Sequence, residues 1–230
     1  MRKFIPISIL LVLLAGCSGG IVRPRVEKGI KNALPGYIGP AKEYTVRADG
    51  STMDIMNGLI ARLRIEGTDV QIDPNLLLSN LWVDMTEVRY NTSRVVTSVK
   101  ETKLSATVSE AVVNKYIEQA RKGEDNLSVG FEPSKVLVNF VPNVAGVNIA
   151  VSVSGAPEIV GGNKINFVAD SGSVAHLPVP DYLVNKALDR MNPILDMSVL
   201  KFPVSLKKIT IMKNAVFVEG SAEFKPSVGK

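Results

Sequence analysis

Alternation of apolar and polar residues with a period of two runs through most of the chain. Leu59, Ala61, Leu63 and Ile65 alternate with Ile60, Arg62, Arg64 and Glu66, and beyond Gly67 the apolar residues Val70 and Ile72 continue on the opposite phase. This predicts a half-buried strand over residues 59–72 with a bulge or bend at Gly67. The next segment repeats the slip, with Leu81, Val83 and Met85 on one phase and Val88 and Tyr90 on the other. Residues 95–108 predict a further strand, although its middle, residues 100–103, is too polar for deep burial. A short strand over residues 42–48 precedes these. The sets Val136/Val138/Phe140, Val147/Ile149/Val151/Val153, Ile165/Phe167, Ile209/Ile211 and Val216/Val218 follow them. Long antiparallel strands with one apolar face are therefore the main building material.

Helical spacing interrupts the strands. Val22, Val26, Ile30 and Leu34 recur at near-helical intervals until Pro35-Gly36, which predicts a short amphipathic helix stopping there. Ser51 with Asp54 three residues on is a modest helix-start signal after the Asp49-Gly50 turn. Residues 109–122 place Val112, Val113, Tyr116, Ile117 and Ala120 on one face, with Glu110, Asn114, Glu118 and Arg121 mostly opposite, Ser109 as N-cap and Gly123 as the stop. Residues 181–192 repeat the pattern with Leu183, Val184, Ala187, Leu188 and Met191, ended by Pro193. Each stripe is expected to lie on the sheet.

The start of the chain is different in kind. Arg2 and Lys3 precede an apolar run over residues 4–14, too short to span a bilayer as a helix, and Leu14-Ala15-Gly16 precedes Cys17, the sole cysteine among 230 residues. The pattern resembles a bacterial lipobox. That resemblance implies cleavage before Cys17, a thioether-linked diacylglycerol with an N-acyl chain on it, and retention at an extracytoplasmic membrane surface. In a diderm bacterium, Ser18 rather than Asp after the cysteine implies the periplasmic face of the outer membrane. The expected organisation is a leader over residues 1–16, a lipidated N-terminus, tether and short helix over 17–38, one domain over 39–225, and a tail over 226–230. Without the leader, 25 Lys plus Arg stand against 22 Asp plus Glu, interleaved along the chain, and Trp82 is the sole tryptophan. Nucleic acid is not an expected partner.

Several short motifs accompany this layout: Tyr44-Thr45-Val46 with Gly50, Met56-Asn57-Gly58-Leu59-Ile60, and Arg64-Ile65-Glu66-Gly67. Ala106-Thr107-Val108-Ser109-Glu110, Leu177-Pro178-Val179-Pro180, Asn192-Pro193 and Phe202-Pro203 follow in order. In their order and spacing, from about Gly39 to Glu223, they resemble the LmeA-like family of extracytoplasmic phospholipid-binding proteins, itself similar to the tubular lipid-binding superfamily. The resemblance implies an α+β fold in which a long, curved antiparallel sheet wraps one or two amphipathic helices around an apolar groove. The groove is expected to take a phospholipid or related envelope lipid. Its inward-facing residues are expected to be Met53, Met56, Leu59, Leu63, Val113, Ile117, Leu183, Leu188 and Met191. The stripes on their own fit ordinary core packing equally well, and methionine fills irregular cores as readily as grooves.

Catalysis has little footing. His176, the sole histidine, ends a strand before Leu177-Pro178, and no nucleophile elbow, metalloprotease helix, phosphate loop or paired-cysteine metal site occurs. Asp69 with Asp73, or Asp84 with Glu87, are the carboxylate pairs nearest to acid–base spacing, and nothing beside them in the sequence points to a raised pKa. Asn91-Thr92-Ser93 matches a glycosylation sequon and reads as a polar loop. No cofactor or metal is expected. The leading reading is a membrane-anchored, non-catalytic lipid-binding lipoprotein. The alternatives are an interaction lipoprotein that holds an unspecified protein or peptide by strand addition, and an enzyme acting on an envelope lipid.

Overall fold

The computed structural model describes residues 22–74, 76–93, 95–121, 127–141, 143–144, 146–174, 177–178, 188, 192–199 and 203–223. Helix α1 (Val22–Tyr37) leads into β1 (Ala41–Asp49), the short helix α2 (Thr52–Met56), and two 15-residue strands, β2 (Leu59–Asp73) and β3 (Leu76–Tyr90). Then come β4 (Val96–Ser98), β5 (Glu101–Ser109), α3 (Glu110–Arg121), β6 (Ser128–Glu132), β7 (Lys135–Phe140), the ribbon β8 (Asn143–Val144) and β9 (Val147–Asn148), and β10 (Val151–Val160). The described chain finishes with β11 (Lys164–Val174), β12 (Leu177–Pro178), β13 (Leu195–Asp196), a 3₁₀ turn at Met197–Val199, β14 (Val204–Met212) and β15 (Ala215–Ala222).

All strand pairs are antiparallel and form two main sheets. The first runs β1-β2-β3-β5-β15-β14 with β4 on β3; the second runs β12-β11-β10-β7-β6 with β13 on β11. The first is strongly curled into a half-barrel, so the fold is the expected α+β type with a wrapped sheet. The sheets meet along β14. Asn214 N–H donates to Phe131 O at 3.1 Å, Ser134 N–H to Ile211 O at 3.2 Å and Leu206 N–H to Gly162 O at 2.6 Å.

The curl has a local cause. β2 and β3 stay in one-to-one register from Leu59↔Arg89 to Gln71↔Leu77, yet both change phase at the same two levels. Inward residues Ile60 and Leu63 are separated by two outward positions, the exposed Ala61 and Arg62, and Met85 and Val88 by the half-buried Thr86 and Glu87. The same happens between Gly67 and Val70, and between Leu78 and Leu81. At each level one residue adopts a left-handed backbone, Glu87 (φ 48°) at one and Asp69 (φ 50°) at the other. Every extra residue lies on the outer side. That side is therefore longer, and the sheet bends around its apolar face. The expected slip near Gly67 is thus carried by Asp69. Gly67 itself is buried, and a Cβ there would stand 2.9 Å from the Tyr44 ring and 2.5 Å from Val70 Cγ2.

Other elements depart from the sequence pattern. The strand expected over residues 95–108 breaks at Val99-Lys100 into β4 and β5. The alternating set from Val147 onward is regular only from Val151, and Val147 is exposed. β6, with Val129 and Phe131 buried, was not anticipated. α1 passes through Pro35, whose fixed φ suits a helix but whose missing N–H forgoes the bond to the Lys31 carbonyl; Ile38 N–H still donates to Leu34 O at 2.8 Å. The helix expected over residues 181–192 lies outside the described residues except at Leu188 and Asn192. There, Asn192 N–H donates to Leu188 O at 2.9 Å.

Helix α3 is held at both ends of its contact with the second sheet. Asn114 donates through Nδ2 to Val129 O (2.8 Å) and accepts from Val129 N–H (2.7 Å), while Glu110 Oε2 accepts from Phe131 N–H (2.6 Å). These two side chains, expected on a solvated face, instead stand in for a neighbouring strand along the edge of β6. Val112, Val113 and Tyr116 pack against the core inside the first sheet, and Ile117 belongs to the core of the second.

Candidate functional site

The inward face of the curled sheet does not close on itself. Ile60, Leu63 and Ile65 from β2, Leu81 and Val83 from β3, Ala106 and Val108 from β5, and Val204, Leu206 and Val218 from the last hairpin surround a cavity of about 550 Å³. That volume lies within the ~300–1,000 Å³ typical of ligand sites. α1 contributes Ile30, Ala33, Leu34 and Tyr37 to the wall, and α3 contributes Val113 and Tyr116. Ile165, Ile194, Leu195 and Met197 come from the second sheet and the segment beside it.

Burial separates this space from an ordinary core. Met85, Leu104, Ile209 and Val216 sit at inward positions yet remain only half-buried. Their free surface faces the cavity. Among the described residues, the polar side chains in the wall besides three tyrosines, Tyr37, Tyr90 and Tyr116, are Thr102 and Glu223. Thr102 is buried. The Tyr90 hydroxyl donates to Ile55 O, the backbone of α2, which ties that short helix to the cavity wall. Among the described residues, this lining has no acid, base or nucleophile arrayed around a common point. It offers apolar surface worth roughly 0.8 kcal/mol per methylene taken from water.

Ionic groups occupy the outer face. Asp84 accepts from Arg62 Nε at 2.9 and 3.0 Å and from Arg62 Nη2, and this bond to Arg62 holds its carboxyl below the usual range. Glu87 is likewise lowered by its hydrogen bond from Lys100. Arg64 reaches Asp49 at 2.7 Å and Lys208 reaches Glu219 at 3.6 Å. Asp84 and Glu87 are therefore paired with cations that favour their ionised form, the opposite of what a proton donor needs. Among the described residues, no group of three or more His, Cys, Asp or Glu could hold a metal ion.

The sequence-derived groove residues divide into five sets. Leu63 and Val113 lie in the cavity wall. Ile117 is buried in the second core and Leu188 packs against that core, so neither faces the cavity. Leu59 is half-buried at the first position of β2, outside the wall. Met53 and Met56 are each 67 % exposed, because α2 turns Ile55 inward and both methionines outward. Leu183, Met191, Cys17 and His176 lie outside the described residues. The wall residues missed from the sequence come mostly from β3, β5, β14, β15 and α1. Their signal is the period-two pattern, which marks apolar faces without showing which stay open, and the Val26/Ile30/Leu34 stripe, which predicts only a short amphipathic helix ahead of the domain.

A family profile described as LmeA-like phospholipid-binding matches residues 18–221, most of the chain. No curated protein matches it, and no solved structure does.

Proposed function

The chain belongs to the LmeA-like phospholipid-binding family, and from that premise we propose that its cavity receives the acyl chains of a phospholipid or related envelope lipid, with no bond made or broken. In this reading the protein is an extracytoplasmic lipoprotein. Acyl chains on Cys17 hold it to a membrane, on the periplasmic face of the outer membrane in a diderm organism, where it carries or exchanges lipid for envelope maintenance.

The observation that carries the reading is the apolar cavity of about 550 Å³ within the curled sheet. Its inward side chains keep accessible surface that close packing would have removed. A chain of ~15 methylenes gains about 12 kcal/mol on leaving water for such a space. A bilayer offers the same gain, so lipid can pass between the two without a large net cost. The leader pattern ending in Leu14-Ala15-Gly16-Cys17 supports the anchor.

The test is native mass spectrometry of the full chain released from membranes. The wild type is expected to carry phospholipid. Leu104→Trp, which fills the cavity from β5, should retain less than about a tenth as much while keeping its circular dichroism and melting transition. A wild type that carries no lipid, or a Leu104→Trp chain as loaded as the wild type, rejects the reading. Cys17→Ser tests the anchor: it should abolish the mature, detergent-partitioning form. Persistence of that form would overturn acylation at this position.

A further inference from the structure

Strand register defines two ends of the trough. At the first, Leu59 faces Arg89, Thr86 faces Glu101, Lys103 faces Ser221 and Val204 faces Ala222; at the second, Asp73 faces Leu76, Asn80 faces Thr107 and Ser109 faces Ala215. Thr102 and Glu223 both belong to the first end. Among the described residues of the wall, the exposed ones are Glu223 and Pro203, also there. The wall at the second end is supplied by Leu76, Leu78 and Ile72 with Tyr37 and Ile38. Polarity and access thus coincide at one end.

The same end carries α2. Its C-terminal turn is fixed by Tyr90 N–H donating to Gly58 O at 2.9 Å, where Gly58 has φ 86° and a Cβ would meet Tyr90 O at 2.3 Å. Ile55 is 1 % exposed on the inner side, while Met53 and Met56 on the outer side are more exposed than any other large hydrophobic residue described. Two exposed cations flank them. Arg23 donates through Nη2 to Gly50 O at 2.8 Å just before α2, and Arg89 faces Leu59 just after it. The chain also enters here. α1 begins at Val22, five residues beyond Cys17, and five extended residues reach at most about 18 Å.

We propose that this end docks on a bilayer containing anionic phospholipid, with Met53 and Met56 inserted among the acyl chains and Arg23 and Arg89 at the headgroups. The cavity then faces the membrane. A bound lipid lies with its polar part at Thr102 and Glu223 and its tails toward Leu76 and Leu78. Methionine suits this role because its unbranched, polarizable side chain adapts to a fluid surface, and a short apolar face beside cations is the usual make-up of an interfacial element. The proposal rests on the lipid-binding and acylation reading and adds a direction to it.

The experiment uses the full acylated chain on vesicles of phosphatidylethanolamine and phosphatidylglycerol doped with a lipid bearing a nitroxide on its acyl chain. A fluorophore is placed at Met56→Cys or, at the second end, at Lys213→Cys in the β14–β15 turn. Quenching at position 56 should exceed that at 213 by about threefold or more, because an inserted residue sits near the quencher. Equal quenching, or more at 213, overturns the proposal. Met53→Ser/Met56→Ser should slow exchange of a pyrene-labelled phospholipid with the vesicles by about tenfold; an unchanged rate also overturns it. Lipid content measured on the same preparations reports on the cavity independently. An empty wild-type chain that is still quenched at 56 would reject the cavity reading and uphold the docking.

Discussion

Asp84 is a carboxylate on the outer side of the sheet whose side chain is nonetheless only 7 % exposed, because the Arg62 guanidinium lies across it. Arg62 supplies the largest influence, a side-chain hydrogen bond, and the charges of Arg62, Arg64 and Lys103 add to it. Burial works in the opposite direction and loses. A carboxyl whose folded pKa is depressed adds stability that is complete above its unfolded pKa of about 3.9 and disappears as pH falls through the folded value. Asp84→Asn should therefore cost about 1–2 kcal/mol at pH 7 in urea unfolding, allowing for the half-exposed partner. The difference from the wild type should shrink as pH falls below about 3.9; a cost independent of pH would mean that packing, not charge, is lost. Tyr44 shows burial winning instead. Desolvation pushes its phenol up to about 12 while the hydroxyl donates to Gly39 O at 2.8 Å. The ring occupies the space that Gly67 leaves empty. Neither the Asp84–Arg62 pair nor the Tyr44–Gly67 fit is legible in the sequence, because each joins residues from different strands and depends on register.

Among elements, α3 was the most legible and also the most instructive. Its apolar stripe predicts the buried side, and Ile117 is 5 % exposed as that pattern implies. Ile117→Asp should cost more than ~3 kcal/mol, since a charge would be buried without a partner. Loss of the cooperative thermal transition would register it. What the stripe could not reveal is that the polar side of the same helix is also engaged. Asn114 and Glu110 are one turn apart, and their spacing matches alternate backbone groups of β6 only once that strand lies alongside. Asn114→Ala should cost about 1–3 kcal/mol, because it leaves the Val129 N–H and C=O without partners. α2 shows the converse limit. Five residues make too few turns to display a period, so nothing local decides which way Met53, Ile55 and Met56 point. Contact of Ile55 with the end of the sheet decides it.

For the whole molecule, the alternating pattern reveals many inward positions, although it places Ala61 inward and Ile60 outward where Ile60 is 1 % exposed and Ala61 is exposed, and it says nothing about which of them lack a facing partner. Leu63 beside the cavity and Val153 within the second core have the same kind of neighbours in sequence. Only the bend of the sheet separates a filled interior from an open one. An open apolar interior predicts a stability linkage. With bound lipid at ~100 times its dissociation constant, the folded state gains about 2.7 kcal/mol, which for a chain of this length raises the melting temperature by roughly 5–10 °C. Calorimetry of loaded and delipidated chains would measure it, and coincident transitions would argue that lipid binds without distinguishing folded from unfolded protein.

The paired extra residues of β2 and β3 make the gauge of the trough a countable quantity. Each rung, Ala61 with Glu87 or Asp69 with Ser79, lengthens both strands by one outward residue without disturbing the register between them. Excising both members of a rung leaves pairing and inward pattern intact and removes one bend. Excising one member alone slips the strands, so that inward side chains on one stand beside outward ones on the other. The bore of this architecture therefore widens or narrows in whole rungs, gained or lost as facing pairs.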